Sequence, residues 1–314
     1  DLVTPTAGLE QFYQHRFAVE QNNTHGFVPT GYRDVDNVLG GGLLSSGMYV
    51  LAARPGMGKT AFALFMAVNA AKQGVPVCVY SLEMSREQLI FRMLGQIADV
   101  EPSKITKGTA TEEEMRALEE ASRQLKELPI CINQRSDIQI DEIRCDISLR
   151  RRQGKCSLAI IDYLQLVNRD DKGQTPNEAI SNITRKAKIT AMDEEIPIVL
   201  LCQLNRNCET RGTYSFRHQL SDLRDSGSIE QDADTVAFIS RLSVVNIHED
   251  PDTHLPTRGR GTILLAKNRQ GELGHVRFMH NEGVTSFWDD TQPACVRKAR
   301  AAEPKPKGKG LFEC

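Results

Sequence analysis

Strands alternate with helices along this sequence, the strands are near-continuous apolar runs, and a glycine-containing loop joins the first long strand to the first long helix. These three features predict an α/β fold with a mostly parallel, twisted sheet flanked by helices on both faces. Strands buried on both faces lose the apolar–polar alternation of half-exposed ones, so unbroken runs point to a parallel sheet.

Residues 7–20 (AGLEQFYQHRFAVE) place Leu9, Phe12, Tyr13 and Phe17 at helical spacing and predict a short amphipathic helix. The polar stretch QNNTHG ends it. From Gly47 onward GMYVLAA reads as a buried strand and KTAFALFMAVNAAKQG as a helix. VPVCVYSLE is a strand, SREQLIFRMLGQIADV a helix, TEEEMRALEEASRQLKE a polar helix and LPICI a short strand. DIQIDEIRCDISLRRRQG is helical, CSLAIIDYLQLV a strongly apolar strand, NEAISNITRKAKITAMDEE a helix and IPIVLLCQL a strand. TVAFISR, GTILLAK and HVRFMH complete the set, and GELG between the last two predicts an antiparallel extension. The expected organisation is a linker helix and connector over 1–25, one domain over 26–290, and a disordered basic tail over 291–314, where KARAAEPKPKGKG is rich in Pro, Gly and Ala.

With 314 residues the chain is long enough for a substantial core. No apolar run approaches the length of a membrane-spanning helix, and the first residues lack the pattern of a signal peptide. A cytoplasmic protein without membrane partners is expected, with its eight cysteines as reduced thiols. None of them forms a C-x-x-C pair of the zinc-ribbon kind. The net charge of −2 lacks the basic surplus of many nucleic-acid binders, so any such contact must come from a local patch or backbone amides.

Chemistry concentrates at strand ends. In AARPGMGKT (52–60) a strand runs into a loop and then a helix. Gly56 and Gly58 let backbone amides turn toward a phosphate, Lys59 would reach the β- and γ-phosphates, and Thr60 would ligate Mg²⁺. Ala53 departs from the strict glycine pattern at its first position, which leaves an ordinary tight turn as the alternative. Asp162, after the apolar LAII, is the candidate second Mg²⁺ ligand. Glu83 ends VPVCVYSLE and Gln203 ends IPIVLLCQ. In a parallel sheet the carboxyl ends share one edge, so both would face a nucleotide there, Glu83 as a general base and Gln203 as a neutral sensor of the γ-phosphate. The alternative for Glu83 is a cap of the next helix, although SREQ already reads as a capping box.

The motifs AARPGMGKT, SLEM (81–84), IIDYLQL (160–166), QLNR (203–206), SDLRDSGSIEQDAD (221–234) and AKNRQGELG (266–274) occur in an order and spacing that resemble the RecA-like motor domain of DnaB-type replicative helicases. GFVPTGYRDVDNVLGGGL fits as well, and the resemblance spans roughly residues 26–288. Ala at position 53 is usual in that family. The resemblance implies a RecA-like P-loop fold and a hexameric ring that hydrolyses ATP, with Mg²⁺, between subunits while moving 5′ to 3′ on single-stranded DNA. It implies a nucleotide site of Arg54, Pro55, Gly56, Met57, Gly58, Lys59, Thr60 and Ala61, with Glu83 catalytic and Gln203 the phosphate sensor. Lys267 and Arg269 would reach the ATP of the next subunit, where an arginine typically contributes ~10³–10⁵ in rate.

Arg224, Asp225 and Gly227 fall in the stretch that matches the family's DNA-contacting loop. Arg224 suits a phosphate and Gly227 a close backbone approach. The family usually has Glu where this chain has Asp225, which puts any side-chain contact there in doubt. No aromatic ladder accompanies the loop, so backbone tracking is expected rather than base stacking. Arg241 is a candidate for stacking on adenine, with an exposed strand-end Arg as the alternative. Arg150–Arg152 read as a favourable helix terminus. Arg206, Arg211 and Arg217 superficially resemble a kinase lid but lie beside the DNA loop and are read as part of a surface loop.

Full-length DnaB-type helicases carry a separate helical N-terminal domain that this sequence does not include. The residues 7–20 resemble their linker helix, which docks on a neighbouring subunit. A ring or a helical assembly is expected, with primase and a loader as partners, in a bacterium or phage-infected cell. The P-loop and two carboxylates alone would also fit a RecA-like DNA-dependent ATPase that does not unwind, or a non-catalytic assembly module. SLEM, SDLRDSGSIEQDAD and AKNRQG favour the helicase.

Overall fold

The computed structural model describes residues 26–162, 175–205, 218–223, 226–281, 283 and 286–290. The expected helix at 7–20, the tail, Arg206, Arg211, Arg217, Arg224 and Asp225 lie outside them.

A nine-stranded sheet among the described residues forms the centre. Its strands are β3 (Met48–Ala53), β4 (Val77–Ser81), β5 (Ile130–Gln134), β6 (Leu158–Asp162), β7 (Ile198–Gln203), β8 (Thr235–Ser240), β9 (Arg260–Asn268), β10 (Gly274–His280) and β11 (Phe287–Asp289). They lie in the order β11-β10-β9-β8-β3-β7-β6-β4-β5. From β8 to β5 every pairing is parallel, β9 and β10 extend the sheet antiparallel, as GELG predicts, and β11, which the sequence does not predict, adds a further antiparallel strand. The short strands β1 (Phe27–Val28) and β2 (Leu43–Leu44) pair separately and enclose α1 (Arg33–Val38).

The remaining helices are α2 (Lys59–Lys72), α3 (Arg86–Ala98), α4 (Pro102–Lys107), α5 (Glu112–Glu127), α6 (Ile140–Arg152), α7 (Pro176–Asp193) and α8 (Ser226–Asp232). Local chemistry starts them. Ser85 with Gln88, Thr111 with Glu114, and Thr175 with Glu178 form reciprocal capping boxes. Arg150, Arg151 and Arg152 close α6, where Arg150 pairs with Asp146 and Arg151 donates to the Glu194 carbonyl. The sequence leaves SDLRDSGSIEQ as a loop, whereas 226–232 is helical, so Gly227 lies in a helix.

The core has two layers. Tyr49, Leu51 and Ala53 of β3 pack with Phe62, Leu64 and Met66 of α2 on one face. Met48, Val50 and Ala52 pack with Ile143, Ile147, Ile180 and Ile183 of α6 and α7 on the other. Successive side chains of a strand point to opposite faces, so a sheet covered on both sides needs an apolar residue at every position. The ring of Tyr32 stacks on Phe62 at 4.7 Å and meets Phe278 and Phe287 edge-on, tying the segment before β2 and the antiparallel edge to α2.

Candidate nucleotide site

The turn after β3 is built by positive φ, 78° at Gly56 and 91° at Gly58, which L side chains rarely adopt. A Cβ at Gly56 would meet nothing, so the loop opens on free space. Met57 is buried beneath it and donates its backbone N–H to the Arg54 carbonyl. Arg54 is half-buried, while Pro55 and Gly56 are exposed. Gly58 precedes α2 without a side chain to cap it, so the first-turn amides remain directed at the loop. Ala61 is buried, and its carbonyl takes a bond from Gln96.

Thr60 Oγ1 donates to Asp162 Oδ2 at 2.7 Å, and Lys59 Nζ lies 3.7 Å from Asp162 Oδ1. Asp162 is buried, and Oδ1 has no hydrogen-bond partner among the described residues. The Lys59 ammonium offsets its charge from beyond hydrogen-bond distance, and the open acceptor sites of this buried oxygen call for a metal ion or water. Among the described residues no group of three or more His, Cys, Asp and Glu could hold a metal. A metal here would therefore draw its other ligands from the phosphates and water, as a hard divalent ion does.

Glu83 follows β4 and is exposed. The cap of α3 belongs to Ser85 and Gln88, and Glu83 takes no part in it. Ser81 pairs with Asp162 and Ala53 with Gln203, and the Leu82 amide donates to the Asp162 carbonyl. The ends of β3, β7, β6 and β4 thus carry Lys59, Gln203, Asp162 and Glu83 along one edge.

Arg241 is 9% exposed, and its guanidinium turns over this loop. Nη1 donates to the Gly56 carbonyl at 3.4 Å and Nε to His280 Nε2 at 3.1 Å. His280 Nδ1 faces the Asn281 carbonyl at 2.7 Å. Accepting from Arg241 at Nε2, His280 is the neutral Nδ1–H tautomer. Burial holds both groups below their ordinary pKa values. Arg241 is thus a buried, hydrogen-bonded neighbour of the loop rather than an exposed strand-end residue. His280 is 39 residues away from it and has no local sequence signal.

Lys267 and Arg269 lie at the other edge. Antiparallel β9 pairs Lys267 with Val236 and Asn268 with Thr235, at the start of β8. Thr235 in turn pairs with Tyr49, near the start of β3. Lys267 donates to the Glu230 carbonyl, and burial, then the neighbouring Arg269, lower its pKa. Arg269 pairs with Asp234 and donates to the Gln231 carbonyl. Gly227 is exposed, and a Cβ there would meet nothing.

The sequence matches the DnaB-like helicase C terminal domain family over residues 27–289. It is 36% identical over 265 residues to the probable replicative DNA helicase of Trieres chinensis, covering 83% of this chain and 57% of that protein. The replicative DNA helicase DnaB of Geobacillus stearothermophilus is 34% identical over 262 residues, covering 83% and 56%. The chain spans a little over half the length of these curated relatives. Among solved structures, the ATPase domain of G40P aligns with a TM-score of 0.81 at 28% identity, covering 92% of this chain and 99% of that one. A DnaB-like replicative helicase, described with its interactions with primase, gives 0.78 at 28% identity, covering 92% and 67%. The match runs from β1 to β11, through the phosphate-type loop and both sheet edges, and places this chain in the family of DnaB-like helicase C-terminal domains.

Proposed function

We propose that this chain is the motor of an ATP-driven replicative DNA helicase, a homo-hexamer that hydrolyses ATP between subunits and moves 5′ to 3′ on single-stranded DNA. The observation that carries this reading is the separation of Lys267 and Arg269 from Lys59. The loop leaves the carboxyl end of β3, while the backbone N–H of Arg269 bonds the carbonyl of Asp234, whose own N–H bonds the Met48 carbonyl at the other end. The six residues of β3 make five rises between those ends, about 17 Å at the usual rise. The two basic residues lie at the opposite end of the strands from their own loop, so in this reading a nucleotide they touch belongs to another copy.

In this reading the amides of 54–61 and Lys59 hold the phosphates, and Arg241 borders the nucleotide. Thr60 and Asp162 would hold Mg²⁺, which would neutralise phosphate charge; Asp162 Oδ1, buried 3.7 Å from Lys59 Nζ and without a hydrogen-bond partner among the described residues, supports that fit. Glu83 takes the proton of the attacking water, Gln203 senses the γ-phosphate, and Lys267 and Arg269 of the neighbouring copy stabilise the charge of phosphoryl transfer. Arg224, Asp225 and Gly227 track the DNA backbone, one small contact from each subunit. A primase and a loader are the partners to test, in the cytoplasm of a bacterium or phage-infected cell.

The experiment is ATP hydrolysis against protein concentration, with and without single-stranded DNA, paired with a strand-separation assay. Specific activity that rises steeply with concentration and with DNA, together with unwinding, supports the motor. Activity strictly proportional to protein and indifferent to DNA contradicts it. DNA-stimulated turnover without unwinding indicates a DNA-dependent ATPase instead.

A further inference from the structure

We propose that Asp234 is the positioning residue for Arg269, fixing its guanidinium at the foot of the sheet so that it is presented to a second copy of the chain. This rests on the reading that Arg269 acts on the neighbouring copy's nucleotide.

Asp234 is buried, 6% exposed, between α8 and β8. Its Oδ2 accepts from the backbone N–H of Met48 at 2.8 Å and from Lys188 Nζ at 2.7 Å. Its Oδ1 accepts from Arg269 Nη1 at 3.3 Å, and its carbonyl accepts the Arg269 backbone N–H at 2.9 Å. One residue therefore grips Arg269 by both main chain and side chain. Arg269 Nη2 is held by the Gln231 carbonyl at 2.8 Å. These contacts use two of the five guanidinium N–H donors, and half of the side chain stays exposed. A planar fork held at one edge leaves the other for a phosphate.

Lys188 lets this hold be light. It also donates to the Ser46 carbonyl at 3.0 Å, so it is anchored independently of Arg269. A shift of Arg269 toward a phosphate would leave Asp234 paired with Lys188, not a stranded buried charge. Asp234 also favours the charged form of Lys267, against the repulsion from Arg269 beside it. Glu230 and Asp232 act on Lys267 in the same direction as Asp234. Nothing in the sequence around Asp234 marks this, because its partners lie 186, 46 and 35 residues away.

Asp234→Asn keeps the size and an oxygen for the Met48 amide and removes the charge. We expect DNA-stimulated turnover to fall roughly a hundredfold, the cost of a small misplacement, with little change in KM for ATP. The deciding measurement uses mixed assemblies. Asp234→Asn subunits retain their own Lys59, and Lys59→Ala subunits retain a properly held Arg269. Co-assembled, the two should hydrolyse ATP well above the sum of the separate proteins. No recovery means that Asp234 supports only its own subunit's fold, which overturns the proposal. Arg269→Ala mixed with Lys59→Ala is the control. Recovery there without recovery for Asp234→Asn sinks the Asp234 role alone; no recovery in either sinks the neighbour reading and this role with it. Asp234→Glu restores the charge and should regain part of the lost turnover. If Asp234→Asn does not fold, the same mixing is done with Asp234→Glu, whose displaced carboxylate should give a milder defect that Lys59→Ala subunits also repair.

Discussion

Thr60 and Asp162, 102 residues apart, meet through a 2.7 Å hydrogen bond that leaves the second oxygen of the carboxylate buried, 3.7 Å from Lys59 Nζ and without a hydrogen-bond partner among the described residues. The arrangement holds one oxygen in place and sets the other near the Lys59 ammonium, beyond hydrogen-bond distance, with capacity left for a metal ion. Asp162→Asn should retain the bond to Thr60 and lose turnover by at least about a hundredfold, in keeping with losing a preorganised charge. Chelation of divalent ions should abolish turnover of the unaltered protein, and Lys59→Ala should do the same. Steady-state ATPase assays check all three; full activity in chelator would sink the Mg²⁺ assignment.

Glu83 and Ser85 lie two residues apart and do different work. Ser85→Ala removes one half of the α3 capping box and should cost about 1 kcal/mol of stability while turnover persists. Glu83→Gln should leave stability within about 0.5 kcal/mol, as for an exposed side chain, and abolish turnover. Denaturant unfolding and ATPase assays on both variants separate the roles, and the reverse pattern would make Glu83 a structural residue.

Arg224→Ala should weaken single-stranded DNA binding alike at every sequence. Loss of one phosphate contact should reduce the slope of log K against log salt by about 0.7 per contact removed. Fluorescence anisotropy over a salt series measures this, and a sequence-selective loss counts against backbone tracking.

His280 is buried as a neutral ring beside Arg241, and its pKa lies below the usual 6.5. The unfolded chain takes up a proton on this ring as pH falls through 6.5, while the folded chain resists. Its contribution to stability is therefore intact above that value and declines below it, toward the lower folded pKa. Thermal unfolding from pH 7 to pH 5 should show a decline that is shallower in His280→Gln. Identical slopes would place the proton uptake elsewhere.

Phe62 holds the aromatic cluster that joins α2 to Tyr32, Phe278 and Phe287. Phe62→Ala should cost about 3–5 kcal/mol through the cavity it leaves and the ring stacking it removes. Chemical denaturation gives the number, and a loss below about 1 kcal/mol would mean the cluster closes around the gap.

Local pattern carries much of this molecule. The unbroken apolar run of β3 shows that both faces of the strand are covered, because alternate residues must each meet a hydrophobic layer. The capping residues Ser85 and Thr111 mark helix starts, and the order of motifs puts Lys59, Glu83, Asp162 and Gln203 at strand ends. Which strand ends are neighbours depends on the sheet order β3-β7-β6-β4, and no single segment encodes it. The helix that begins at Ser226 has a polar, glycine-containing sequence that reads as a loop, and it packs against α7 once the chain is folded. The hold of Asp234 on Arg269 and the pairing of His280 with Arg241 arise only when distant strands come together. Periodicity and capping are interactions among near neighbours in the chain, whereas a buried charge or imidazole acquires its partner from whatever the fold sets beside it.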